Sequence, residues 1–469
     1  MAVTSVEFLL FSLLICLALY LFGGAETAKK LLLIGASLFF YATYDIRFLL
    51  VLLFLTGLSY CVGNRVLHAA PERKRLWLGA GLLLGLLPLC FYKYLPIMVL
   101  GNGSESPVGL GGWLDELILP IGISFYTFQA LSYPLDLYRG TLRKQASFLD
   151  FACFVTFFPK LLVGPITRAG QFLPQLESPI RIANGAEAAN GVFLILQGLV
   201  KKLILADILA QQIVDPAFAD PGSYGFLFLV LGVVAYSFQI YFDLSGYTDL
   251  VRGVSHCMGL ELPINFNRPY LATSVSNFWQ RWHISMSSFF RDYLYFSLGG
   301  SKAGNVYVNV MITFVCIGIW HGAGWNFVIY GFIHGSLVGW ERFRRGQAKR
   351  RGIVAEPWSA PELVWRIFLT FMIVAWARVL FRADTLEESY AYLLALSNVS
   401  DLSLPMSDLG FAVLLLSCLL HFTPPRWAEG VRRRFVAFPS FVQAGIAGLS
   451  LLFLLSLPDV TAGFIYAQF

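Results

Sequence analysis

An all-α integral membrane protein is the fold class this sequence predicts, and three observations predict it. Of 469 residues, 57% are hydrophobic and only 13% are charged, against roughly 25% charged in a soluble domain. Mean hydropathy is +0.67. The aromatic load of 42 Phe, 21 Tyr and 11 Trp suits lipid-facing and interfacial positions.

The elements follow in order from the apolar runs. These lie near residues 5–22, 31–44, 48–64, 76–95, 117–138, 149–164, 191–210, 224–247, 306–320, 325–341, 363–382, 409–423 and 441–457. A full span takes about 20 residues, and several runs are shorter, so about 11–13 membrane-embedded helices are expected, some re-entrant or broken. The first run has no basic residue ahead of it and Lys29-Lys30 behind it, the order of a retained span rather than a cleaved signal peptide. The simplest division is one polytopic membrane domain over 1–469, with N-terminal helices in 1–100, a core of about 119–390 and C-terminal helices in 409–457.

Charge sets an expected orientation. Lys29-Lys30, Arg65 with Arg73-Lys74-Arg75, Arg139 with Arg143-Lys144, the 342–351 cluster and Arg432-Arg433-Arg434 are separated by alternate spans. Placing all five on the cytoplasmic side is self-consistent. It puts both termini and the loops 101–116, 215–223 and 384–408 outside, with Arg47 as the exception. The formal charge of +6 is then loop anchoring in a lipid bilayer, and no nucleic-acid partner is implied. Seven scattered cysteines form no C-x-x-C pair and read as buried thiols rather than disulfides or ligands. There is no repeat at solenoid spacing.

Residues 239–305 do not behave like lipid anchor. They hold Asp243, Asp249, Arg252, His256, Arg268, Arg281, His283, Arg291 and Asp292 with aromatics between. The stretch is too apolar for a free loop and too charged for a span, as amphipathic or re-entrant helices would be. Read as one helix, NFWQRWHISMSSFFRDYLY aligns Phe278, Trp282, Ser285 and Phe289 on one side. An interfacial helix facing headgroups and a cavity lining both fit it. In FDLSGYTD, Gly246 lies between Asp243 and Asp249, a place where a helix could unwind. Ionisable groups at membrane depth usually face a cavity or a partner. Asp243 reads as functional. Asp249 reads equally as a helix end paired with Arg252.

The run GIWHGAGWNFVIYGFIHG, residues 318–335, carries two imidazoles in an apolar stretch. Gly318, Gly322, Ala323 and Gly324 would let something bulky approach the backbone near His321. Trp320 and Trp325 could wall a pocket, and Asn326 follows five residues on. Imidazole suits general-base work near neutral pH. His334 reads as a structural hydrogen bond. There is no HExxH, G-x-S-x-G or Walker loop, and no metal site is expected.

These residues resemble the membrane-bound O-acyltransferase family, and most closely its branch that O-acetylates bacterial exopolysaccharides, as in alginate O-acetylation. The resemblance runs from about residue 5 to 390. It rests on LPIGISFYTFQALSYPLDLYRG (119–140), FPKLLVGPITR (158–168), LVKKLILAD (199–207), YFDLSGYTDL (241–250), NFNRPYLATSVSNFWQRWHISMSSFFRDYLYFSLGG (265–300), the 318–335 run and VLFRADTL (379–386). Two departures are small: FSLGG lacks the proline common there, and Thr248 stands where serine is common.

The resemblance implies a ring of helices around a thinned centre with a funnel from each face. It implies that His321 is the catalytic histidine and His283 the second histidine of the site; Asp243, Ser245, Asp249, Trp320, Trp325 and Asn326 are expected in support. The acyl donor would be acetyl-CoA, with no permanently bound cofactor. Acetyl-CoA cannot cross a bilayer and the polymer lies outside, so a buried centre open to both faces would pass the acetyl group without its carrier. Arg281, Arg291, Lys201 and Lys202 are the expected contacts for the nucleotide phosphates. The implied setting is a bacterial inner membrane, the implied product an acetylated polysaccharide of alginate or cellulose type, and the implied partners a periplasmic SGNH-type acetyltransferase and the polymer's synthesis and export machinery. Two alternatives remain: D-alanyl or peptidoglycan acyl transfer within the same family, and a polysaccharide or lipid-linked-sugar transporter.

Overall fold

The computed structural model describes residues 1–96, 118–181, 183–352 and 357–456. Among these, all regular structure is helical. The 101–116 loop and the expected external C-terminus lie outside the described residues.

Most expected apolar runs return as helices. Phe48–His68, Pro71–Lys93, Phe226–Cys257 and Ala360–Arg382 are long and apolar enough to span a bilayer. Asp408–Phe422 and Pro425–Ala437, bent by 94°, make a fifth span if counted together, and Val6–Leu21, Val306–His321 and Ser440–Leu454 are shorter apolar helices. The outer faces need hydrocarbon. Val6–Leu21 buries Phe8, Ser12, Ile15 and Leu19, yet leaves Leu10, Leu13, Leu14 and Leu17 exposed. A helix apolar on its outer side is stable only in lipid or in a protein core.

The chain forms two compact units. One comprises Met1–Leu199, Tyr247–Pro263 and Gly430–Phe453. Its aromatic core includes Phe8, Phe11, Phe40 and Phe158, with Phe11 and Phe158 edge to face at 5.2 Å. Lys160 is enclosed there. Its Nζ donates to Thr167 Oγ1 at 2.5 Å and sits 4.0 Å from the Phe154 centroid, a cation–π arrangement. The run near 149–164 is broken at Phe157, between Phe148–Thr156 and Phe158–Leu161. Not all thiols are buried as expected: Cys61 and Cys90 are exposed, because their helices turn that face outward. Arg47, the charge that broke the orientation pattern, is neutralised locally by both oxygens of Asp45.

The other unit is chiefly Val200–Gly246 and Ile264–Glu429. The 191–210 run is not one regular helix. Gly185–Leu199 gives way to π-helix at Val200–Ala206, one α turn at Asp207–Leu209, and π-helix again at Ala210–Val214. Such bulges are rare and gather at functional sites.

Two expectations for residues 239–305 need correction. Gly246 does not unwind its helix: Phe226–Cys257 runs through it for 32 residues, because intrahelical bonding outweighs the roughly 1 kcal/mol that one glycine costs. The 277–295 stretch is not one helix. Val275–Trp279 stops, His283 takes φ +43°, and Ile284–Phe289 starts afresh.

Helices Val306–His321 and Trp325–Arg350 form a tight hairpin across Gly322-Ala323-Gly324. The bulky neighbour expected beside the glycines is the partner helix itself. A Cβ on Gly318 would lie 2.1 Å from the Phe327 carbonyl oxygen, one on Gly322 2.1 Å from the Phe327 ring, and one on Gly331 2.4 Å from the Phe314 carbonyl oxygen. Gly318→Ala is therefore expected to destabilise by about 1–3 kcal/mol through overpacking. Gly346→Ala on the same hairpin meets nothing within 4 Å and is expected to be neutral or mildly stabilising. Thermal midpoints of the detergent-solubilised variants check this; equal midpoints for Gly318→Ala and wild type would refute it.

Candidate active site

His321 ends its helix because Gly322 leaves helical geometry at φ −163°. The residue is 2% exposed. It packs against Trp320 at 4.8 Å, Phe381 at 5.0 Å and Tyr330 at 6.5 Å. His283, 1% exposed, meets the same Trp320 ring edge to face at 6.0 Å. One indole thus touches both buried imidazoles, which lie 38 positions apart in sequence.

The turn that presents His283 is held from several sides. Ile284 N–H donates to the Asn265 carbonyl at 2.9 Å. Asn265 Oδ1 accepts from Ser285 N–H at 3.0 Å and from Ser285 Oγ at 2.9 Å. Asn267 N–H donates to the Arg281 carbonyl at 2.9 Å. Upstream, Ser274 Oγ caps Val275–Trp279, and Glu341 accepts from the N–H groups of Val275 and Ser276. A positive φ on a non-glycine residue is costly and persists where its surroundings enforce it. Among the described residues His283 shares that state only with Arg268.

Asn326 bonds to the chain beside Phe381, a contact the sequence did not disclose. Its Nδ2 donates to the carbonyls of Leu380 at 3.1 Å and Ala383 at 2.8 Å. That fixes the turn carrying Phe381, which lies on His321. His334 makes the structural bond expected of it, accepting on Nδ1 from Trp279 Nε1 at 3.2 Å.

Asp243 is buried at 1% exposure beside Lys202, whose Nζ is 2.7 Å from Asp243 Oδ1 and 2.8 Å from Asp207 Oδ1. Two enclosed carboxylates share one ammonium, and the π-helical Val200–Ala206 stretch carries that lysine inward.

The 114–381 segment matches the model for MBOAT, the membrane-bound O-acyltransferase family. A probable alginate O-acetylase AlgI of Azotobacter vinelandii is 36% identical over 427 residues, covering 88% of this chain and 81% of that protein. The chain belongs to the membrane-bound O-acyltransferase family. A peptidoglycan O-acetyltransferase of Helicobacter pylori is 35% identical, covering 80% of this chain and 75% of its own length. A teichoic acid D-alanyltransferase of Streptococcus thermophilus is 32% identical, covering 63% of this chain and 72% of its own. The protein is a multi-pass membrane O-acyltransferase, which removes the transporter alternative.

Within this acyltransferase several expected roles change. Lys202 is not placed to hold phosphates, because its charge is committed to two buried carboxylates. Arg291 is exposed and paired with Asp292 at 2.7 Å, and Arg281 is half-buried, donating to Asn277 Oδ1 at 3.1 Å. Lys201 is half-buried. Trp325 is 70% exposed and does not wall the buried ring cluster, because it opens a helix whose inward face begins at Asn326 and Phe327. Asp249 lies buried inside the helix Phe226–Cys257 and not at its end, accepting from Gln197 Nε2 at 2.8 Å with Arg252 at 3.7 Å. Ser245 is buried, and its Oγ finds no hydrogen-bond partner among the described residues.

Sequence reasoning missed Asn265, Asp207, Tyr270, Tyr330 and Arg378. A signal existed for two of them: Asp207 and Arg378 are ionisable residues within or beside apolar runs, the pattern that marks a partner or a function at membrane depth.

Proposed function

We propose that this O-acyltransferase takes an acetyl group from cytoplasmic acetyl-CoA and passes it across a bacterial inner membrane for O-acetylation of an extracytoplasmic polysaccharide of alginate or cellulose type. The observation that carries this is the pair of buried histidines on one indole; a thioester brought to them would be kept from water. His321 is the general base. It takes the proton of the accepting hydroxyl as that oxygen attacks the thioester carbonyl carbon. The carbon–sulfur bond breaks, and the imidazolium returns the proton to the leaving thiolate, so atoms and charge balance. His283, held at its left-handed turn, orients donor or acceptor. The half-buried Arg281 and Lys201 and the exposed Arg291 remain the proposed contacts for the donor's phosphates. The coverage by alginate O-acetylases supports polysaccharide as the final acceptor, reached through a periplasmic SGNH-type acetyltransferase and the polymer's export machinery.

The test is wild-type protein in lipid nanodiscs with radiolabelled acetyl-CoA, with and without the periplasmic partner and glycan. Thioester consumption is expected. No consumption in either case rejects acetyl-CoA and directs attention to an acyl-carrier donor, as for D-alanyl transfer. Repeated purification from native membranes without an SGNH-type protein would count against the partner.

A further inference from the structure

Among the described residues Arg378 is the largest side chain that is fully enclosed, at 1% exposure. Its neighbour Arg382 has Asp215 at 3.0 Å, but Arg378 has no carboxylate in salt-bridge range among the described residues. Its guanidinium is instead caged by rings, with its carbon 4.3 Å from the Trp282 centroid, 5.2 Å from Tyr270 and 5.5 Å from Phe278. Nη1 donates to Tyr270 Oη at 2.6 Å, and that hydroxyl donates onward to the Ser237 carbonyl. Tyr330, whose ring also faces His321, interacts with the same guanidinium. A buried cation without a counter-ion is costly, and an apolar side chain of similar volume is usually at least as stable in its place. Arginine offers what that side chain lacks, a planar fork that stacks and hydrogen-bonds in one fixed orientation.

The neighbours of Arg378 say what is being oriented. Trp282 immediately precedes His283, whose φ of +43° must be enforced by contacts. Three residues after Arg378, the Phe381 ring lies on His321 at 5.0 Å, on the turn that Asn326 fixes. The backbone that carries Arg378 thus continues directly into the His321 contact, while its side chain grips the residue before His283.

We propose that Arg378 is a positioning residue for acyl transfer: by stacking on Trp282 from the turn that bears Phe381, it sets the two histidines relative to each other. The proposal rests on the acyltransferase reading of His321 and His283. It does not require Arg378 to touch substrate.

The test uses full-length protein in nanodiscs with acetyl-CoA, and compares Arg378→Lys, Arg378→Gln and Trp282→Phe, alone and combined. Lysine keeps the charge and loses the fork. Glutamine keeps a donor and loses the charge. Both are expected to lower kcat by about 10–100-fold, the scale of a misplacement near 1 Å, with donor KM within about 2-fold. Trp282→Phe should add less in either background than alone, since both act through one contact. Hydrogen exchange of the 281–288 backbone should quicken in both Arg378 variants, with the rest of the chain unchanged. Wild-type turnover in Arg378→Lys, a loss confined to KM, or unaltered exchange would overturn the proposal. If wild type itself consumes no acetyl-CoA, the donor reading fails while the exchange measurement still decides Arg378. If Arg378→Gln does not accumulate in membranes, Arg378→Lys and Trp282→Phe carry the same comparison.

Discussion

His321→Ala is expected to lower acetyl transfer by about 10²–10⁴-fold, the range lost with a positioned general base, while the protein still inserts and folds. The residue is suited to this because its ring is held on three sides by Trp320, Tyr330 and Phe381 at the mouth of a helix that ends on it. Truncation also removes packing against those rings, so His321→Gln is the second variant. It fills more of the space and cannot act as a base. Both variants are compared with wild type in the labelled acetyl-CoA assay, with elution profile and thermal midpoint as the control for folding. A variant that keeps turnover within about 2-fold of wild type would mean that His321 is not the base.

Removing Lys202 should be the most damaging single change to the folded state. Lys202→Met leaves Asp207 and Asp243 facing each other inside the protein, at 2% and 1% side-chain exposure. Breaking a buried ion pair from one side costs about 3–5 kcal/mol, whereas neutralising the whole group is often nearly free. The expected result is a sharp fall of Lys202→Met in membranes and recovery when Asp207→Asn and Asp243→Asn are added. Fluorescence-detected size exclusion of a tagged chain reads both. Wild-type accumulation of Lys202→Met alone would show that the triad is not what holds this region together.

The helical elements were legible because a helix declares itself locally, through its apolar run. His321 stood out for a related reason: imidazole inside an apolar run is costly enough to call for an explanation, whereas His283 was marked only by the motif resemblance. Lys202 shows where this kind of reading stops. In LVKKLILAD two adjacent lysines look equivalent, and only the π-helical winding of Val200–Ala206 turns one of them onto Asp207 and Asp243. Trp325 shows the same limit from the other side. Its chemistry suits a pocket wall, but its place at the first turn of a helix points it outward.

Composition and spacing therefore sufficed for the membrane class and the approximate helices, and the resemblance of whole motifs for the family, since each depends on residues near in sequence. The break at His283, the indole shared by two imidazoles, the partners of Lys202 and the cage around Arg378 were decided by tertiary structure alone. Each joins residues distant in the chain, as in Lys202–Asp243, 41 positions apart, and Tyr270–Arg378, 108 apart. No local preference encodes such a contact. It forms only when the packing of whole helices brings the two groups within a few ångströms, and only there do their charge and shape acquire consequences.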